Sequence, residues 1–96
     1  MKYTTIIKKI NEYLAGHKLL YLDCYVGITN DAERRLFDEH NVDKNGIWIY
    51  CHGDSAKVAR DAEQYFLDQG CQGGPGGGDD DSTIVYCYKI TSTTDE

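Results

Sequence analysis

Residues 25–40 read Tyr-Val-Gly-Ile-Thr-Asn-Asp-Ala-Glu-Arg-Arg-Leu-Phe-Asp-Glu-His, and this stretch decides how the rest of the chain is organised. Its first residues alternate as in a β-strand. Asn30, followed three positions later by Glu33, forms a capping-box pattern, which predicts a helix over residues 31–40. The stretch therefore predicts a strand–helix junction that presents Tyr25 and Arg35.

The predicted helix has one largely apolar side, on which helical spacing places Ala32, Glu33, Leu36, Phe37 and His40. Arg34 falls opposite this side and faces solvent, whereas Arg35 falls at its edge. His40 has two interpretations. It can assist proton transfer, or it can be a buried, hydrogen-bonded histidine, as its position on the packed side suggests.

The remaining sequence supplies two more helices and three strands. Helices are predicted over residues 4–15, 31–40 and 56–69, and strands over residues 18–28, 47–51 and 83–90. Thr4 or Thr5 is expected to cap the first helix, and Asp54 or Ser55 the third. A chain of 96 residues is large enough for one core. We therefore expect a single domain, residues 1–96, of the α/β (α+β) class, with a small, mainly antiparallel three-stranded sheet flanked by three helices.

The strand pattern assigns side chains to opposite faces of the sheet. Along residues 18–28 the expected core positions are Leu20, Leu22, Cys24, Val26 and Ile28. Tyr25 then lies on the second, more polar face, where Gly27 leaves room for a group to approach the backbone. On the last strand Tyr86 and Tyr88 share a face. For the tyrosines, ordinary packing is the alternative to a functional role.

Glu63 is unusual for its position on the third helix. It lies at the edge of a stripe of small and apolar side chains, namely Val58, Ala59, Ala62, Tyr65 and Phe66. An unpaired charge at a packed edge is costly, so Glu63 is expected to have an arginine or a metal ion as a partner. Mg²⁺ needs only one or two protein carboxylates. A structural salt bridge between Glu63 and Arg35 is the alternative.

Composition limits the possible partners. The formal net charge of −6 argues against nucleic-acid binding over the whole surface. Residues 1–22 nevertheless carry four Lys and one Glu, so a local basic face remains open. The four widely spaced cysteines predict free thiols in a cytoplasmic protein rather than zinc ligands or a redox centre. The sequence contains neither a signal peptide nor an apolar run of membrane length.

Two segments are predicted to lack regular structure. Residues 70–82 are rich in Gly and Asp and predict a flexible loop, with a calcium site at Asp79, Asp80 and Asp81 as the weaker alternative. Residues 91–96 are expected to be frayed.

Taken in order, Tyr25-Val26-Gly27, Arg35 and Glu63 resemble the second half of the GIY-YIG nuclease signature. In that family an arginine follows the Tyr-Ile/Val-Gly strand on the next helix, and a later helix carries the metal-binding glutamate. The family's Gly-Ile-Tyr strand, which precedes those elements, has no counterpart before Tyr25. Its nearest match is the strand that begins Ile84-Val85-Tyr86, so the resemblance implies a circular permutation with these two strands side by side and antiparallel.

The resemblance implies a GIY-YIG-like endonuclease that hydrolyses phosphodiester bonds of DNA or another nucleic acid. Tyr25, Tyr86 and His40 would line the catalytic site, Arg35 would contact the phosphate, and Glu63 would hold Mg²⁺ or Mn²⁺. The alternative is a catalytically inactive descendant that binds a protein or a nucleic acid. A protein partner would supply targeting, because a domain of this size has no room for a separate recognition module. Basic side chains around the site (Lys8, Lys9, Lys57 and Arg60) would favour the enzyme, and acidic ones (Asp23 and Asp79 to Asp81) would count against it.

Overall fold

The computed structural model describes residues 1–74 and 81–96, which form an α+β fold. Helix α1 (Tyr3–Gly16) and a 3₁₀ turn (Tyr21–Asp23) precede strand β1 (Cys24–Thr29). A π-helical segment (Arg34–Glu39), strand β2 (Trp48–His52), helix α2 (Ala56–Gln69) and strand β3 (Ile84–Lys89) follow. The predicted three-stranded antiparallel sheet with three helical elements is confirmed.

Strand β3 lies in the middle of the sheet, in the order β1-β3-β2, and pairs antiparallel with both neighbours. The expected pairing of the last strand with the Tyr25 strand is therefore confirmed. In this register Tyr86 lies opposite Gly27 on one side and Tyr50 on the other. Tyr88 in the same way lies between Tyr25 and Trp48.

The two faces of the sheet carry separate apolar clusters. The larger one joins α1 and α2 to the sheet and contains Ile6, Ile10, Leu14, Cys24, Val26, Ile28, Cys51, Ala59, Ala62, Phe66, Cys71, Val85 and Cys87. The smaller one lies on the opposite face, where Leu36 of the π-helical segment and Val42 pack against Tyr86 and Tyr88. All four cysteines are buried free thiols, as predicted.

The predicted strand over residues 18–28 is wrong in its first half. Strand pairing begins only at Cys24, and Leu20 and Leu22 are each 68% exposed rather than buried. The Asp23 carboxylate accepts a hydrogen bond from the Leu20 backbone N–H at 3.0 Å. This local bond satisfies the backbone within a turn and so competes with an extended strand.

The helix predicted over residues 31–40 also differs from the structure. The cap is Asp31 rather than Asn30, because the Asp31 carboxylate accepts from the Arg34 N–H at 3.1 Å. After one turn the segment becomes π-helical, and the His40 N–H donates to the Arg35 carbonyl, five residues earlier, at 2.9 Å. Leu36 and His40 are buried as expected, whereas Glu33 is exposed.

Other helix boundaries follow from local capping. Helix α1 begins at Tyr3, so Thr4 and Thr5 lie inside its first turn rather than at the cap. Helix α2 has the predicted bounds, and the Ser55 hydroxyl accepts from the Val58 N–H at 3.1 Å.

The predicted loop over residues 70–82 is ordered at its start, because Gln72 exchanges backbone hydrogen bonds with Cys24 and Val26 of β1. The proposed calcium ligands Asp79 and Asp80 lie outside the described residues.

Candidate functional site

Tyr86 is the centre of the site. It extends from the middle strand and is fully buried. Its ring lies directly over Gly27 of β1, where a Cβ atom would overlap the Tyr86 hydroxyl and ring. The space that Gly27 leaves is thus filled by a side chain of the same molecule. Glycine at position 27 therefore allows the Tyr86 hydroxyl to cross the sheet towards β1.

His40 holds the Tyr86 hydroxyl. The imidazole Nε2 is 2.8 Å from the Tyr86 oxygen, and Nδ1 is 2.6 Å from the Asp95 carbonyl and 3.1 Å from the Tyr88 hydroxyl. A carbonyl oxygen only accepts hydrogen bonds, so Nδ1 carries the proton. Nε2 of a neutral His40 is then an acceptor, and Tyr86 donates to it.

The bond to Asp95 corrects the expectation that residues 91–96 are frayed. The Asp95 N–H also donates to the His40 carbonyl at 2.7 Å, and the Asn41 side chain donates to the Thr93 carbonyl at 2.9 Å. Both contacts hold the C-terminal segment against the end of the π-helical segment.

Burial sets the protonation states of this pair. Desolvation lowers the pKa of His40, and the nearby Arg35 charge lowers it further, while the Asp95 carbonyl opposes both. Desolvation raises the pKa of Tyr86 to about 12, against the opposing effect of Arg35. At neutral pH the pair is consequently a neutral imidazole that accepts from a protonated phenol.

Tyr25 packs over this pair. Its ring stacks on Tyr88 with centroids 5.3 Å apart and lies 4.8 Å from the His40 ring. Burial raises the pKa of Tyr25; Arg35 opposes this increase, and Glu63 and Glu96 add to it. The side chain is half-buried, so Tyr25 lies at the boundary between the buried tyrosines and solvent.

Arg35 lies at the rim of the site, bound to a carboxylate that the sequence did not single out. Its Nη1 donates to the Glu39 carboxylate at 2.8 Å, and Arg34 donates to the other Glu39 oxygen at 3.1 Å. Arg35 therefore forms its ion pair with Glu39 and not with Glu63. The Arg35 side chain is 34% exposed and that of Arg34 is 54% exposed, which agrees with the predicted difference between the two arginines.

Glu63 is 5% exposed on α2. Burial raises its pKa to about 7, and the charge of Arg60 opposes the increase. The same carboxylate raises the pKa of both Tyr25 and Tyr86, so it lies within electrostatic reach of each. Helix α2 packs on the face of the sheet opposite Tyr86 and Tyr88, so Glu63 acts on the tyrosines through its charge rather than through contact.

Within residues 1–74 and 81–96, no three or more His, Cys, Asp or Glu side chains are grouped to hold a metal ion. An ion at this site would have Glu63 as its protein carboxylate, with water and phosphate oxygens completing the shell. That donor set fits Mg²⁺, which commonly retains several waters.

Charged side chains are unevenly distributed around the site. Lys8 and Lys9 line a shallow depression on α1, a helix that packs on the opposite face of the sheet from the tyrosines. Lys57 forms an ion pair with Asp61 at 2.7 Å. Among the acidic residues expected to count against the enzyme, Asp23 accepts a hydrogen bond from the Leu20 backbone N–H. The charge of Arg60 opposes the rise in the pKa of Glu63.

Three contributors were missed from the sequence. Tyr88 could have been found, because strand alternation places it on the same face as Tyr86. Glu39 could have been found from its spacing of four residues from Arg35. Asp95 contributes a backbone carbonyl, for which the sequence offers no signal.

Comparison with protein-family models, curated proteins and solved structures finds no significant match to this chain. Among the helices of the described part, none has the length and apolar character needed to cross a membrane.

Proposed function

We propose that this chain is a GIY-YIG-like endonuclease domain that hydrolyses phosphodiester bonds of DNA or another nucleic acid with one divalent metal ion. The observation that carries the proposal is the cluster of Tyr25, His40 and Tyr86 beside Arg35, with the Glu63 carboxylate within electrostatic reach. These residues come from four elements, namely β1, the π-helical segment, α2 and β3. The antiparallel pairing of β1 with β3 also supports it, because the proposed permutation requires these strands to be neighbours.

The hydrogen bond between Tyr86 and His40 supports a role in proton transfer. Tyr86 is fully buried, so the proposed step requires substrate binding to admit a water molecule, which gives a proton to the Tyr86 oxygen while the Tyr86 proton moves to His40 Nε2. The hydroxide attacks phosphorus, the bond to the leaving oxygen breaks, and the proton held by His40 returns through Tyr86 and solvent to that oxygen. The Asp95 carbonyl and the Tyr88 hydroxyl would stabilise the imidazolium through Nδ1.

Arg35 and Glu63 would stabilise the reacting phosphate. A guanidinium binds two phosphate oxygens at once, and Arg35 is exposed enough to reach a ligand. Glu63 would hold Mg²⁺ or Mn²⁺, which supplies positive charge to the phosphate oxygens when bound. A carboxyl with a pKa of about 7 is half-ionised at neutral pH, so a bound cation would favour its ionised form.

A catalytically inactive module that binds a protein or a nucleic acid is the second candidate. Arg35 is already engaged by Glu39, the net charge is −6, and Ile84 stands where the family's strand has glycine. In either case we propose a protein partner for targeting. We also propose a cytoplasmic location, because four free thiols suit a reducing compartment.

A nuclease assay with Mg²⁺ or Mn²⁺ on single-stranded DNA, double-stranded DNA and RNA tests the proposal. We expect Arg35→Ala to lower the cleavage rate by about 10²- to 10³-fold, because it removes a charge aimed at the phosphate. Arg34→Ala is the matched control, since Arg34 binds the same Glu39 but lies further out. Glu63→Gln is expected to abolish metal-dependent cleavage.

Equal losses for Arg34→Ala and Arg35→Ala, or full activity of Glu63→Gln, would contradict the assigned roles. Absence of cleavage by the wild-type protein on all three substrates would refute the enzyme and favour the inactive module.

A further inference from the structure

Strand β2 carries a row of ring side chains beside the candidate site, and we refer to Trp48, Tyr50 and His52 as the aromatic row. The Trp48 and Tyr50 rings are parallel to within 6°, with centroids 6.0 Å apart. The Tyr50 and His52 rings meet edge to face at 5.8 Å. Trp48 and Tyr50 are half-buried and His52 is exposed, in contrast to the fully buried tyrosines of β3.

The first ring of this row is held in place. The Trp48 indole N–H donates to the Lys44 carbonyl at 3.0 Å, and its ring packs edge to face on Phe37 at 5.2 Å. Its backbone N–H donates to the Tyr13 hydroxyl at 3.1 Å. Because the indole is already fixed and its N–H is satisfied, a flat ligand can stack on it with little further loss of conformational entropy.

The aromatic row is continuous with the site. Tyr50 lies opposite Tyr86, and Trp48 lies opposite Tyr88, so each pair is separated by one strand spacing of about 4.8 Å. A strand of nucleic acid bound with a phosphate at the site would have its neighbouring nucleotides within reach of the row.

Charge and ring chemistry together indicate which form of nucleic acid fits. With a net charge of −6, phosphate attraction over a broad surface is weak, and local cations such as Lys44, 5.5 Å from the Phe37 ring centre, supply little of it. Stacking on aromatic side chains suits every base, but a duplex keeps its base faces covered.

We propose that the aromatic row is a stacking platform for unpaired bases of a single-stranded nucleic acid. The identity of the ligand rests on the proposed nuclease function. The row would thereby direct that activity towards single strands, ends or loops.

Trp48 is the one tryptophan of the chain, so its fluorescence reports on the row directly. We would titrate the Glu63→Gln variant in EDTA, which leaves the ligand uncut, with an oligothymidine of about 12 nucleotides and with a duplex of equal length. Saturable quenching by the single strand is expected, with much weaker binding by the duplex. The logarithm of affinity should fall with the logarithm of salt at a slope of about −1 to −2, since few phosphates are contacted.

Tyr50→Ala in the same background should weaken single-strand binding about tenfold, and Tyr50→Leu keeps the apolar volume should the alanine variant unfold. Tyr3→Ala is the control, because Tyr3 is an exposed tyrosine on α1, on the other side of the sheet. Circular dichroism verifies the folding of each variant.

The outcomes separate this inference from the nuclease proposal. Quenching by single strands without any cleavage by the wild-type protein would support the stacking platform and refute the proposed nuclease activity. Cleavage with unchanged Trp48 fluorescence, or with unchanged affinity in Tyr50→Ala, would refute the stacking platform without contradicting the proposed nuclease activity. Equal binding of duplex and single strand would also overturn it.

Discussion

Replacing Glu63 by glutamine is expected to change how the stability of the protein depends on pH. Burial raises the pKa of Glu63 from the ordinary 4.5 to about 7, so the folded state binds a proton more tightly than the unfolded state does. The contribution of the protonated Glu63 carboxyl to the free energy of unfolding is fully present below about pH 4.5, and it is lost as the pH rises through about 7. A shift of that size corresponds to about 3 kcal/mol, of which about 2 kcal/mol falls between pH 5 and pH 8.

Glutamine has nearly the same shape as glutamate and carries no charge, so the variant does not lose this stability as the pH rises. We expect its free energy of unfolding to exceed that of the wild type by about 2 kcal/mol more at pH 8 than at pH 5. Urea denaturation at a series of pH values, followed by circular dichroism, measures the difference. Glu12→Gln is the matched control, because the Glu12 side chain is largely exposed on α1 and only weakly paired with Lys8.

Millimolar Mg²⁺ at pH 8 adds a second measurement to the same experiment. If Glu63 holds the ion, Mg²⁺ should raise the stability of the wild type and leave Glu63→Gln unchanged, because ligands stabilise the state that binds them. Parallel pH profiles for the wild type and the variant would refute the account of a buried carboxyl whose pKa is raised. An equal effect of Mg²⁺ on both would refute the assignment of the metal ligand.

Three further predictions concern other residues of the fold. Gly27→Ala should destabilise the fold by about 1–3 kcal/mol in urea denaturation, because the new Cβ overlaps Tyr86, whereas Gly16→Ala, with open space at its Cβ, should not. Nitrogen chemical shifts should identify His40 as the tautomer protonated at Nδ1, and protonation at Nε2 instead would refute the proposed direction of the Tyr86 bond. Leu22→Ser should change stability by less than about 0.5 kcal/mol, whereas a cost of several kcal/mol would contradict its exposure.

Elements controlled by nearby residues were predictable from the sequence. Helix α2 begins after a Ser55 side-chain cap and ends at Gly70, whose φ of +120° favours glycine, and both signals lie within the segment itself. Alternation along β3 likewise placed Tyr86 and Tyr88 on one face. Glu63 was singled out because a carboxylate among small apolar residues is unusual, and it is indeed buried.

What the sequence could not supply depends on contacts between distant segments or on competing local bonds. Leu20 and Leu22 fit a strand pattern, yet this segment forms a 3₁₀ turn. The turn is stabilised because the Leu20 N–H donates to the Asp23 carboxylate. After Glu33 the hydrogen bonding becomes π-helical, and His40 is buried. An ordinary α-helix would also bury His40, so the sequence pattern does not distinguish a π-helix from an α-helix here. One partner of His40 Nδ1 is the backbone carbonyl of Asp95, 55 residues away, and any residue type could supply such a carbonyl.

The central position of β3 has a consequence for biosynthesis. Both outer strands are made earlier in the chain, and the strand with which each of them pairs in the sheet is Ile84–Lys89. A nascent chain that has not yet released β3 from the ribosome cannot complete the sheet, because β1 and β2 are joined only through it. Assembly therefore waits for contacts such as Cys24 with Lys89, which are distant in sequence, and distant contacts form slowly. The same dependence makes β3 a natural fragment for reconstituting the fold from two pieces.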